Sequence, residues 1–159
     1  MLDARALEAL KSLTPRSPAF AAGGPIPPRH TCEGDDVAPA IEFGPRPVGT
    51  CAVALLVDDP DAPRGAFTHW VAWNLPADLD ALPEGADVTA LGGLEGRNDF
   101  ADVGYRGPCP PSGTHRYFFK VYALDALLDL PRGARRSTFE DAIAGHVLAW
   151  GETMGTSTR

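Results

Sequence analysis

The sequence predicts a mainly β protein, an antiparallel two-sheet β-sandwich with peripheral helices at its N- and C-terminal ends. Three observations predict it. Runs at Cys51–Asp58, Phe67–Leu75 and His115–Leu124 are rich in β-branched and aromatic residues and have strand length. Gly 17 and Pro 16 are spread through the chain and read as turns between many short elements. Helical periodicity is confined to the two ends. At 159 residues the chain is expected to be one domain, 1–159, with a helical extension over 1–14.

In chain order, Leu2, Ala6, Leu7, Leu10 and Leu13 fall on one stripe, predicting a helix from Leu2 to Leu13 that Pro15 and Pro18 stop. Phe20 to Pro39 has many breakers and no period, so it is expected to be irregular. Ile41 and Phe43 flank Glu42 in a short strand. In the Phe67 run, Phe67, His69, Val71, Trp73 and Leu75 are expected on one face, with Thr68, Trp70, Ala72 and Asn74 on the other. Pro76 to Asn98 is loop-like, with a short strand expected at Val88–Leu91. In the clearest strand, His115, Tyr117, Phe119, Val121 and Ala123 share a face opposite Arg116, Phe118, Lys120, Tyr122 and Leu124. Ser137 and Glu140 have capping-box spacing, and Phe139, Ile143, Val147 and Trp150 follow at helical intervals, predicting a helix that ends near Gly151.

Composition narrows the function. Hydrophobic content of 44% and charged content of 22% are those of a globular chain. A formal net charge of −7 argues against a nucleic-acid or anionic-membrane surface, which needs dense basic charge. No apolar run approaches the roughly 20 residues that a membrane-spanning helix needs. The charged N-terminus lacks the apolar core of a signal peptide, so a cytoplasmic location is expected. Three cysteines, Cys32, Cys51 and Cys109, make no disulfide scaffold, and Cys51 is expected to be a buried thiol.

The chemistry gathers at two proline-rich turns. An apolar strand delivers Asp59 and Asp61 to its end, and a connector stiffened by Pro60 and Pro63 leads to His69. A second turn, Gly104–Gly113, leads to His115 and, on the same face, Tyr117. A lone histidine on an apolar face is usually a satisfied core residue. Here two imidazoles, a phenol and a carboxylate are expected at one mouth. As an anion pocket, that set supplies imidazole N–H and phenol O–H donors, with an aspartate setting one tautomer and backbone N–H groups of Gly107–Cys109 adding donors. As a metal site, two histidines and a carboxylate suit Zn or Fe(II), yet no pair has a short ligand spacing. As a hydrolase, Ser112 would be activated by His115, but it stands in a Pro-Pro-Ser-Gly turn rather than a nucleophile elbow. His30, His146 and the acidic run Glu33–Asp36 are expected to be structural or solvated.

The motifs resemble a known family. DDPDAP at 58–63 with FTHWVAWNLP at 67–76, and GYRGPCPPSGTHRYFFKVYALD at 104–125, are similar to the phosphatidylethanolamine-binding protein family, which includes the Raf-kinase inhibitor proteins. The bacterial and archaeal branch is the nearest in pattern, and IPPRHTCEGDDVAPAIEF at 26–43 and FEDAIAGHVLAWGETMG at 139–155 fit it too. The resemblance covers a core of 20–155.

It implies a β-sandwich and a non-enzymatic site for phosphate-like anions, including phospholipid head groups, with no cofactor and no metal. By residue, it places that site at Asp59, Asp61, His69, His115 and Tyr117, with the backbone of Cys109, and makes Asp61 a brace of the loop. It implies a cis bond before Pro63. It also implies that Cys32 and Cys109 approach within disulfide range, although a cytoplasmic setting would keep them reduced. A kinase or protease partner bound by the rim loops and a homodimer are the alternatives it raises; a phosphoester hydrolase using Asp59 and His69 is another, raised by the residues themselves. The chain departs from the family at His30, where relatives often carry Tyr, and at Ser157, where an aromatic is common. It also lacks the long C-terminal helix of the animal proteins, so kinase inhibition does not carry over.

Overall fold

The computed structural model describes residues 3–159. Two antiparallel sheets form the frame. The larger has five strands in the order β5-β3-β2-β6-β7: β2 (Ala52–Asp59), β3 (Phe67–Pro76), β5 (Leu94–Glu95), β6 (Thr114–Leu124) and β7 (Val147–Thr158). The smaller pairs β1 (Ile41–Glu42) with β4 (Ala81–Leu82). Two helices are present among the described residues, α1 (Ala4–Ala9) and α2 (Arg136–Ile143), together with a 3-10 turn at Pro28–His30.

The β2 strand is central and buried along its whole length, which explains its unbroken apolar sequence. Its two faces feed two cores. On one side Val53, Leu55 and Val57 pack with Phe119, Val121, Phe43 and Leu82, under the small sheet and the irregular N-terminal stretch. On the other, Ala54 and Leu56 pack with Trp73, Tyr122, Leu124, Phe139 and Ile143 beneath α2. The alternation expected in β6 is the one found: Tyr117, Phe119, Val121 and Ala123 join the first core, Tyr122 and Leu124 the second.

Several elements differ from expectation. The N-terminal helix spans only Ala4–Ala9 and buries no residue fully; Leu2, its expected start, lies outside the described residues. Val88–Leu91 is a turn, closed by Gly93 N donating to Val88 O at 2.9 Å. The C-terminal helix stops at Ile143, and 147–158 is a twelve-residue strand paired with β6. Ser137 lies inside α2 instead of capping it; Arg135 is the N-cap.

The strand was hidden because its inward face is built from small residues. Cβ atoms at Gly151 and Gly155 would run into Leu13 and into Phe20 and Ile26, so the apolar side chains that fill this layer come from the N-terminal segment. A period-2 hydrophobic pattern never appears in the strand's own sequence.

Strand β3 departs in phase. Val57 pairs with Trp70 and Asp58 with Thr68, which leaves His69 as the extra residue of a β-bulge. A second irregularity falls between Val53 and Leu55, beside Asn74 at φ 55°. The face expected to carry Val71, Trp73 and Leu75 together is thereby divided: Val71 and Trp73 enter the α2-side core, while Leu75 joins Trp70 and Ala72 in the other. Cys51 precedes β2 and is exposed, correcting the expected buried thiol. Every described peptide bond, including that before Pro63, is trans.

Candidate functional site

Antiparallel pairing of β2 with β3 and β6 puts the end of β2 beside the starts of the other two. Asp59 closes β2, and His115 is the second residue of β6. Their side chains meet in a buried contact of 2.6 Å between His115 Nδ1 and Asp59 Oδ2. The other carboxylate oxygen of Asp59 accepts the backbone N–H of Asp61 at 2.8 Å, closing the turn that follows the strand.

The bulge brings His69 to the same place, on the side of β3 that faces Tyr117, with ring centroids 5.3 Å apart and nearly perpendicular. Its Nδ1 lies 2.7 Å from Arg106 O. A carbonyl only accepts, so His69 carries its proton on Nδ1. An ionised Asp59 imposes the same tautomer on His115. Among the described residues, each ring therefore keeps Nε2 as the nitrogen without a hydrogen-bond partner.

The second turn forms the opposite wall. Arg106 N donates to His69 O at 3.1 Å, Cys32 N donates to Pro108 O at 3.1 Å, and Gly107 N donates to Asp36 Oδ1 at 2.9 Å. Asp36 also receives Arg106 Nε at 3.3 Å, so part of the acidic run expected to be solvated braces this turn. Gly107 has no room for a side chain, because a Cβ would overlap the carbonyl oxygen of His30. His30 is buried and structural as expected, its Nδ1 2.9 Å from Val37 O, and its own carbonyl accepts the hydroxyl of Tyr105 at 2.6 Å. Cys32 and Cys109, expected only to be neighbours and reduced, are joined in a disulfide with Cα atoms 5.4 Å apart.

Five of the six expected site residues, Asp59, His69, Cys109, His115 and Tyr117, line one cavity of about 160 Å³. Asp61 is not in its wall. It accepts the backbone N–H of Arg116 at 2.9 Å and its guanidinium at 2.8 Å and 3.0 Å, and this cation holds its carboxyl down at about 2. It is the brace of the loop.

The cavity has further walls that the sequence reading missed: Ala62, Pro63, Phe67, Phe100, Pro110 and Pro111. Phe67 had a signal, since it precedes His69 by two residues and shares its pocket. Phe100 had almost none: it sits in a polar turn, and only the fold brings it to Phe67 and His69 at 4.8 and 5.5 Å between centroids.

The electrostatics follow from burial. Desolvation, opposed by the Arg106 carbonyl and nearby acids, holds the His69 pKa below its ordinary value. Burial and then the Asp59 carboxylate push the Tyr117 phenol far up, so it stays a neutral donor. Among the described residues, no three His, Cys, Asp or Glu side chains come together in a way that could hold a metal ion. Both histidines have already given Nδ1 to protein partners. Ser112 lies exposed on its turn, away from the buried ring of His115.

A sequence model of the phosphatidylethanolamine-binding protein family matches residues 16–158. The chain belongs to this family. A UPF0098 protein of Methanothermobacter thermautotrophicus is 45% identical over 144 residues, which cover 89% of this chain and 95% of that one. The solved structure of a phosphatidylethanolamine-binding protein homologue from Chlamydia trachomatis superposes with a TM-score of 0.88 at 34% identity, covering 94% of this chain and 99% of that one. E. coli YbcL, described as a new member of the mammalian family, gives 0.86 at 28% identity over 92% of this chain and 98% of its own. Family membership agrees with the two-sheet architecture and with the motifs at 58–63 and 104–117. No described helix is long and apolar enough to cross a membrane.

Proposed function

We propose that the chain is a non-enzymatic binding protein whose cavity takes a single phosphate-like group, either free or as the head of a phosphorylated ligand such as a phospholipid. One observation carries this reading. Two buried imidazoles have Nδ1 held by Asp59 Oδ2 and Arg106 O, and both rings line the same small cavity. A cavity of about 160 Å³ suits a compact head group with aromatic and proline walls around it.

The tautomers set the terms of binding. As neutral rings both histidines offer an acceptor at Nε2, so they greet a protonated oxyanion through its O–H. After taking up a proton they donate, and His115 gains the Asp59 carboxylate as counter-charge. Tyr117 adds a neutral donor. Binding therefore couples to a proton, and affinity for a phosphate ligand rises as the pH falls from 8 toward 6. Turnover has less support, because the acid and base groups are committed to holding the rings and Ser112 sits apart on a solvated turn.

Calorimetry with O-phosphoethanolamine tests the proposal. His115→Ala and His69→Ala should each weaken binding by about tenfold or more, as loss of a charge-assisted partner does. Unchanged affinity in both variants would overturn it.

A further inference from the structure

A broader cleft of about 440 Å³ opens where the start of α2 meets β3 and the 97–101 turn. It lies across β3 from the imidazole pocket: Phe67 and His69 line that pocket, while Ala66 and Thr68 line this one. Arg97, Asp99, Arg135 and Ser137 complete the part of its wall that matters here.

The charges at this cleft are unusual for the molecule. Elsewhere an arginine commonly has an acidic partner: Arg16 pairs with Glu42, Arg29 with Asp35, Arg106 with Asp36 and Arg116 with Asp61. Arg136, also at the cleft, is taken up by Asp58 at 2.8 Å and Glu140 at 3.2 Å. Among the described residues the guanidinium groups of Arg97, Arg132 and Arg135 form no ion pair. The fold brings them together, since Arg97 N donates to Ala134 O at 2.9 Å, beside Arg135 and two residues after Arg132. Two acids stand in the wall: Glu140, which is paired with Arg136, and Asp99, whose carboxylate accepts the backbone N–H of Thr68 at 2.7 Å. Of the three arginines, Arg97 and Arg135 line the cleft, and their unpaired guanidinium groups, in a chain of net charge −7, form a local positive site with hydroxyl donors at Thr68 and Ser137.

We propose that this cleft is a second anion site, separate from the imidazole pocket, for a small ligand with two anionic groups such as an oligophosphate. Arg97 and Arg135 each take one group through a planar fork, which a single phosphate cannot engage together as well. The cleft's volume exceeds that of the first pocket and accommodates the longer ligand.

Inorganic pyrophosphate is the probe, titrated by calorimetry into the wild type, an Arg97→Gln/Arg135→Gln double variant, and His115→Ala. Both arginines are exposed, so the double variant should keep the wild-type melting temperature. The expected result is a loss of affinity on the order of tenfold or more in the double variant. In His115→Ala, whatever binding the imidazole pocket contributes is removed, and a pyrophosphate-binding event that depends on the two arginines should persist and weaken with added salt. Undetectable pyrophosphate binding to the wild type, unchanged affinity in the double variant, or a loss confined to His115→Ala would each overturn the second site. Because the two sites are probed by different substitutions, failure here leaves the imidazole-pocket reading to its own test.

Discussion

Asp58 and Asp59 are neighbours at the end of β2, 2% and 3% exposed, and they face opposite sides of the sheet. Asp58 turns toward α2, where Lys120 reaches it at 3.1 Å and Arg136 at 2.8 Å. Asp59 turns toward the pocket and meets His115 at 2.6 Å. The burial is equal and the difference is in the partners. Lysine and arginine are permanent cations near neutral pH, so the Asp58 cluster locks α2 onto the sheet. The Asp59 pair instead lines the cavity, where its imidazole can meet what enters. Equal burial thus accompanies two different placements, one carboxylate inside an ion cluster under α2 and the other in the wall of a cavity.

The largest expected effect comes from breaking the locked pair. Asp58→Asn leaves two partly buried cations short of counter-charge and should cost about 3 kcal/mol, lowering the melting temperature by roughly 6–12 °C. Phosphoethanolamine affinity should hardly change. A drop in affinity comparable to that of Asp59→Asn would erase the contrast.

Asp59→Asn should invert the pattern. Stability falls by about 1–2 kcal/mol for one weakened buried hydrogen bond, while affinity falls further because protonated His115 loses its counter-charge. Thermal melts and calorimetry on the same preparations check both arms.

The smallest effect is on pH. The folded state resists protonating His69, whose pKa lies below the ordinary 6.5, while the unfolded chain accepts that proton. Stability from this residue is therefore complete above pH 6.5 and declines as the pH falls below it, by at most about 1.4 kcal/mol per unit. Asp61, with its folded value near 2, adds a separate loss that begins only below the ordinary 3.8. Urea unfolding from pH 8 to 5 should show a shallower decline in His69→Phe than in the wild type. Equal slopes would place the pH response elsewhere.

Much of the site was legible because its polar residues interrupt strongly patterned strands. Asp59 ends an apolar run, and His115 and Tyr117 share a face that period-2 alternation assigns correctly. The resemblance added the Cys32–Cys109 proximity and the bracing role of Asp61, and both have counterparts in the structure. His69 reached the pocket for a reason that alternation does not contain. Strict alternation carries it with Val71 and Trp73, whereas the bulge returns it to the side of Tyr117. Phe100 and Asp36 were invisible, since each comes from a polar turn that only long-range contacts bring to the site.

The sequence by itself determined the mainly β class, the positions of β2, β3 and β6, and the two proline-rich turns that carry the polar groups. Those features are written in local periodicity and in residues with restricted backbone dihedrals. Tertiary structure alone decided the face of β3, the fate of 147–158 and the partners of Asp58 and Asp59. Each depends on groups far apart in the chain: Leu13, Phe20 and Ile26 cover the glycines of β7, and pairing with β2 creates the bulge at His69. Local sequence carries no record of such partners, and packing selects the arrangement in which every buried layer is filled.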